Sequence, residues 1–257
     1  MLKKILGVKI TFVTLAEALG MIGEWLSSHE RKQHYIVTPN PEILVQSRKD
    51  VQLRDTLNSA DLAIADGVGL RLACGLQRGC PRLTGVDLMQ ALCAQAAVRK
   101  WRIFLLGGSE GVAAQLKDLL EQQYPGIRIA GAFAGDAQPT GDAETHTQLA
   151  TVGGMIDLLF VAYGAPRQEA WISRNLPRLL QVRVAMAVGG SFDYLTGRIR
   201  RAPVWMRRFG LEWLFRLGSE PWRWRRMLRL PYFVWLLILD KLSRRRISRG
   251  EADENRY

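Results

Sequence analysis

Short apolar, β-branched runs alternate with amphipathic stretches of helix length along this chain. That alternation restricts it to an α/β fold, a mainly parallel sheet with helices on both faces. The runs read as strands are Ile5–Ile10, Tyr35–Thr38, Leu62–Ala65, Ile103–Leu106, Ile127–Ala132, Ile156–Ala162 and Val182–Val188. Between them, helical periodicity is clearest over Thr14–Leu26, Asp87–Val98, Gly111–Gln123, Ala143–Val152 and Pro166–Asn175. In such sheets ligands collect where strands end and helices begin. Polar residues and glycines concentrate there: Thr38 to Glu42, Ala65-Asp66-Gly67, Leu106-Gly107-Gly108-Ser109, Tyr163 to Gln168, and Val188 to Asp193.

The C-terminal part has a different character. The net charge of +12 is held entirely between Arg198 and Arg249, where 15 Lys and Arg face three Asp and Glu. Five of the eight tryptophans (Trp205, Trp213, Trp222, Trp224, Trp235) lie there too. Trp205, Phe209, Trp213 and Leu217 recur at helical spacing and predict one apolar helix face. Glu220-Pro221 is expected to start a further helix, and Pro231 to kink or break it before Phe233–Leu239. Three readings of this stretch stay open: a basic amphipathic surface on an anionic membrane, a nucleic-acid patch with stacking aromatics, or helices packed on the body. Roughly five bases at an anionic leaflet, at ~1 kcal/mol each, give about 5 kcal/mol of adhesion before screening. The run Tyr232–Leu239 is far short of the ~20 residues of a spanning helix. Lys9 interrupts any apolar core of a signal peptide, so a peripheral protein is expected. The domains expected are 1–195 as the α/β body, 196–245 as a basic helical appendage and 246–257 as a flexible tail. An apolar face of the body is covered either by that appendage or by a second copy, which leaves a homo-oligomer open. Cys74, Cys80 and Cys93 are odd in number, lack C-x-x-C spacing and read as reduced, mostly buried thiols.

Each polar strand end has a bland and a chemical reading. Asp66 is either the N-cap of a helix starting at Val68 or a partly desolvated general base. Asn40 caps a helix whose first residue is Pro41, while Thr38 offers a hydroxyl to a ligand. Gly107 and Gly108 open a helix and either cradle a phosphate or permit close strand–helix packing; the run is not a clean G-x-G-x-x-G. Gly164, Arg167 and Gln168 form a turn and first helical turn suited to an anion or a base edge. Arg82, ahead of Thr84, is a candidate phosphate ligand or a solvated surface arginine. No D-x-D pair occurs to hold a divalent metal. Charge on a leaving diphosphate would then fall to arginines and helix N-termini. No metal and no cofactor is expected.

Taken together, nine ordered segments resemble the WecG/TagA/CpsF glycosyltransferases. They are Thr38-Pro-Asn40-Pro-Glu42, Ala65-Asp66-Gly67, Arg82-Leu-Thr-Gly85-Val-Asp87, Phe104-Leu-Leu-Gly107, Gly164-Ala-Pro-Arg-Gln168-Glu-Ala-Trp171, Val188-Gly-Gly-Ser-Phe192-Asp193, Arg201-Ala-Pro203, Gly210-Leu-Glu-Trp213-Leu-Phe-Arg216 and Glu220-Pro-Trp-Arg223-Trp-Arg-Arg226. The resemblance implies a Rossmann-like sheet with a C-terminal helical appendage. It also implies an inverting enzyme that moves an N-acetylmannosamine-type sugar from a UDP donor to undecaprenyl-diphosphate-linked N-acetylglucosamine, forming a β-1,4 link. Asp66 falls on the family's base, Thr38 on its acceptor-side threonine, and Arg82 and Gln168 on its donor-site arginine and glutamine. Arg216, Arg223 and Arg226 fall on appendage arginines implicated in the active site, and Arg167 stands where members often have lysine. The expected partners are the UDP-sugar, the polyprenyl-linked acceptor and an anionic membrane surface, with no nucleic acid. The expected location is the cytoplasmic face of the inner or plasma membrane, in surface-polysaccharide or teichoic acid synthesis. A related UDP-hexose or UDP-uronic acid is the alternative donor, and a nucleic-acid-binding α/β protein the remote one.

Overall fold

A computed structural model describes residues 1–74, 80–209, 211–219, 224 and 228–240. The first predicted strand is a hairpin instead: β1 (Leu2–Ile5) pairs antiparallel with β2 (Val8–Thr11). Leu6 and Gly7 both have positive φ, 49° and 88°. That is the turn whose twist suits two adjoining antiparallel strands, and an apolar leucine at its first position hides it in the sequence.

The remaining strands form one six-stranded sheet, all parallel, in the order β4-β3-β8-β7-β5-β6. They are β3 (His34–Val37), β4 (Leu62–Ala63), β5 (Arg102–Gly107), β6 (Arg128–Phe133), β7 (Ile156–Ala162) and β8 (Val182–Ala187). The expected α/β architecture is therefore present. Leu159, Val161 and Ala185 enter one core layer with Trp171 and Leu176, and Leu158, Phe160, Val184 and Met186 enter the other with Leu88, Leu92 and Leu116. Two-faced burial is why the central strands read as near-continuous apolar runs.

The helices are α1 (Leu15–Ser27), α2 (Pro41–Ser47), α3 (Val51–Asn58), α4 (Val68–Cys74), α5 (Gly85–Arg99), α6 (Val112–Gln123), α7 (Asp142–Thr151), α8 (Arg167–Asn175) and α9 (Ser191–Leu195). Their starts are written locally. Thr14 and Glu17 close a capping box on α1, Asn40 caps α2 ahead of Pro41, and Thr84 caps α5. The expectation of three reduced thiols is corrected: Cys74 and Cys80 are joined in a disulfide, with Cα atoms 6.6 Å apart, and Cys93 is the buried free thiol. The end of α4 brings the pair within bridging reach, which parity counting does not reveal.

The C-terminal stripe is also corrected. Trp205 and Phe209 lie on α10 (Val204–Phe209), and Trp213 and Leu217 on a separate α11 (Glu212–Ser219). The Leu211 N–H bonds the Met206 carbonyl at 2.8 Å, a six-to-one closure with which helices end. Residues 229–240 are helical with Pro231 in the first turn, where a missing N–H costs nothing. Phe233 and Leu236 of that helix are buried in the body's core. The start expected at Glu220-Pro221 lies outside the described residues. No helix among the described residues is long and apolar enough to cross a membrane.

Candidate active site

Because every pairing in the six-stranded sheet is parallel, the C-terminal ends of β3, β4, β5, β7 and β8 lie along one edge. The chain steps from β3 to β4 and from β7 to β8 toward one side of the sheet and from β5 to β6 toward the other, so the winding reverses between β5 and β7. Ligands bind at such a reversal. Thr38 and Asp66 lie on the same edge, to one side of that reversal, past the ends of the adjoining strands β3 and β4. The Ile64 N–H bonds the Val37 carbonyl at 2.9 Å and the Asp66 N–H bonds the Pro39 carbonyl at 2.8 Å, so the ladder continues past the strands and sets the two residues side by side. Both are half-buried. Thr38 Oγ1 donates to the Ala187 carbonyl of β8 at 3.2 Å, so its remaining lone pairs serve any incoming donor. Asn40 is the α2 cap, its Oδ1 accepting from the Ile43 N–H at 3.0 Å, which commits one of its two lone pairs to the backbone.

Gly107 is held by close packing between strands. A Cβ on Gly107 would stand 2.8 Å from the Ala162 backbone, and Gly107 has φ +104°, so only glycine lets β5 and β7 approach here. The Gly108 N–H is spent on the Ala162 carbonyl at 3.1 Å and cannot hold a phosphate. Beyond β7, Gly164 turns the chain into α8, Arg167 is exposed at its first position, and Gln168 is buried. Gln168 Oε1 accepts from the Gly189 N–H at 2.9 Å and its Nε2 donates to Glu169 Oε1 at 2.9 Å. The glutamine thus ties the turn after β7 to the turn after β8.

Arg82 is neither solvated nor free. It donates to the Arg207 carbonyl and pairs with Glu212 at 3.3 Å. Arg201 pairs with Asp87 at 2.8 Å, approaches Glu212 to 3.9 Å and donates to Thr84 Oγ1 at 3.2 Å. This network clasps α10 and α11 to the N-terminus of α5. Burial raises the Asp87 carboxyl, but hydrogen bonds from Arg201 and Thr84 outweigh it and hold the group below its ordinary value. Farther on, Arg229 pairs with Glu42 of α2 at 3.0 Å. Arg216 lies on α11, and Arg223 and Arg226 lie outside the described residues. The sequence motifs contained Asp87, Arg201 and Glu212 but gave them no role. Their charges become a cluster only when the chain returns to α5 more than a hundred residues later.

Most exposed large apolar side chains lie on this C-terminal part: Val204, Trp205, Phe209, Trp213, Leu214, Trp224, Leu228, Tyr232, Trp235, Ile238 and Leu239. Its outer side is apolar and aromatic while Phe233 and Leu236 face the core. A cavity of about 290 Å³ lies at the opposite edge of the sheet, between Gly20 and Gly23 of α1 and Gln95 and Trp101. Glu24, Ser27 and Arg99 also line it, on the side of the sheet away from the motif-bearing strand ends. Among the described residues no three His, Cys, Asp or Glu side chains are grouped to hold a metal ion.

The family model for the Glycosyl transferase WecG/TagA/CpsF family matches residues 3–247. A protein of Bacillus subtilis named N-acetylglucosaminyldiphosphoundecaprenol N-acetyl-beta-D-mannosaminyltransferase is 35% identical over 212 residues, 82% of this chain and 81% of the relative. A protein of Bacillus spizizenii with the same name is 36% identical over 212 residues, 81% of this chain and 80% of the relative. With the strand-end segments in place on one sheet edge and the match running through body and appendage alike, the chain belongs to the WecG/TagA/CpsF family of glycosyltransferases.

Proposed function

We propose that this chain moves an N-acetylmannosamine-type sugar from a UDP donor to N-acetylglucosamine on undecaprenyl diphosphate, working peripherally at the cytoplasmic face of the membrane. The observation that carries the reading is the seating of Asp66 beside Thr38 on adjoining strand ends, on the edge bordered by the clasped arginine-rich appendage. The names of the two Bacillus relatives support the N-acetylmannosaminyl group and the undecaprenyl-diphosphate-linked acceptor.

In this reading Asp66 takes the proton of the acceptor 4-hydroxyl as its oxygen bonds the anomeric carbon. The bond from that carbon to the UDP diphosphate oxygen breaks on the opposite face, its electron pair leaving with UDP, and the configuration inverts. Thr38 orients the acceptor. Arg223 and Arg226, like Arg216 assigned from their motifs, offset charge on the leaving diphosphate, with Arg82 as part of the clasp. Gln168 shapes the donor side by holding the Gly189 turn. Arginines replace a divalent cation in this scheme, in keeping with the absence of D-x-D. The exposed tryptophans and basic residues of the appendage bring the site to the lipid-borne acceptor.

The test is a panel of UDP-sugars with a short-chain lipid-diphosphate acceptor, read by UDP release with and without EDTA. UDP release with UDP-N-acetylmannosamine, unchanged by EDTA, is expected. Release with none of the panel, or release that needs added Mg²⁺, overturns the scheme.

A further inference from the structure

Glu169 is the third residue of α8 and is 2% exposed, one position beyond an equally buried glutamine. Adjacent helical residues ordinarily diverge, yet Gln168 Nε2 and Glu169 Oε1 meet at 2.9 Å. The other carboxylate oxygen, Oε2, is buried without a hydrogen-bond partner. So is the hydroxyl of Tyr35 on β3, whose phenol is pushed well up by burial and by the charge of Glu169. A buried carboxyl with an orphaned oxygen is costly to keep. Nothing in helix packing requires it, since a methionine fills similar space. What it does accomplish is geometric. A carboxamide has one accepting and one donating end. The Gly189 N–H claims the oxygen of Gln168, and Glu169 claims the nitrogen, so the two contacts together admit one orientation of the amide.

We propose that Glu169 is a positioning residue that acts through Gln168. By accepting from Nε2 it fixes the Gln168 oxygen on the Gly189 N–H and so holds the turn after β8 in place at the sheet's ligand edge. This rests on the reading of that edge as the sugar-transfer site. Glu169 touches no substrate; its effect reaches the reaction through the shape of the Gly189-Gly190-Ser191 turn.

The test uses the full chain and two readouts. Glu169→Met removes the acceptor at similar volume, and Glu169→Gln keeps an accepting oxygen. Hydrogen exchange at the Gly189 amide is expected to speed about tenfold in Glu169→Met, the loss of roughly one hydrogen bond, and to stay near wild type in Glu169→Gln. kcat/KM for UDP release is expected to fall in parallel, with Gln168→Met equally impaired and the double variant no worse than either single one. Should the methionine variant not fold, Glu169→Leu makes the same deletion. Unchanged Gly189 exchange in the variant lacking the acceptor, or additive losses in the double variant, overturns the proposal. If Gln168→Met itself turns over at the wild-type rate, it is the reading of the edge that has failed.

Discussion

At the scale of single residues, the sequence marked where polar groups would gather but not which were free to act. Asp66 and Thr38 were legible because strand ends on a parallel sheet line up whatever the intervening chain does. Asp66→Asn is expected to lower kcat on the order of 10²–10⁴-fold while UDP binding persists, checked by steady-state turnover beside calorimetric UDP titration. Glu169 was not legible, since a charged residue in a helix's first turn normally faces water. Burial pushes its carboxyl from 4.5 up to about 7. An acid raised on folding keeps its proton in the folded state after the unfolded chain has lost it. The contribution of this carboxyl to stability therefore declines as pH rises from about 4.5 to about 7, and only that contribution is gone above. Glu169→Gln removes that loss, so its stability relative to wild type should grow by on the order of 3 kcal/mol between pH 4.5 and pH 7.5. Urea midpoints at the two pH values check this, and an unchanging difference would remove the raised ionisation.

At the scale of elements, periodicity identified the long helices and buried strands to within a residue or two. It missed the hairpin, whose turn residues look apolar, and joined α10 to α11, because an apolar stripe continues across a break in the backbone. The clasp belongs to this scale. Arg82, Arg201, Asp87 and Glu212 are partly buried, and hydrogen bonds to charged groups contribute about 1.5–3 kcal/mol where water is excluded. Glu212→Gln leaves Arg82 and Arg201 with a weaker acceptor. Amide exchange over α10 and α11 is expected to accelerate about tenfold or more, with α6 and β7 unchanged, by exchange mass spectrometry. Uniform exchange in wild type and variant would mean that apolar contacts alone hold these helices.

At the scale of the whole molecule, the packed-helix reading of the C-terminal part leaves room for the proposed membrane surface as well. It packs on the body through Phe233, Leu236 and ion pairs, and it presents tryptophans outward. Replacing Trp205, Trp213 and Trp235 together by serine should reduce flotation on anionic liposomes by about tenfold or more, each interfacial aromatic contributing on the order of 1 kcal/mol. UDP titration should be unaffected. Raising salt should weaken wild-type flotation through the basic residues, and binding to neutral vesicles with equal strength would contradict the charge contribution. The sequence by itself determined the layer architecture, the gathering of polar residues and glycines at the sheet edge proposed to carry the chemistry, and the separation of charge along the chain, because these follow from local periodicity and composition. Only the tertiary structure decided that Gly108 and Asn40 commit polar atoms to the backbone, that Arg82 is held by Glu212, and that Glu169 lies buried against Gln168. Those outcomes depend on contacts between segments far apart in the chain, where geometry alone selects which donor meets which acceptor.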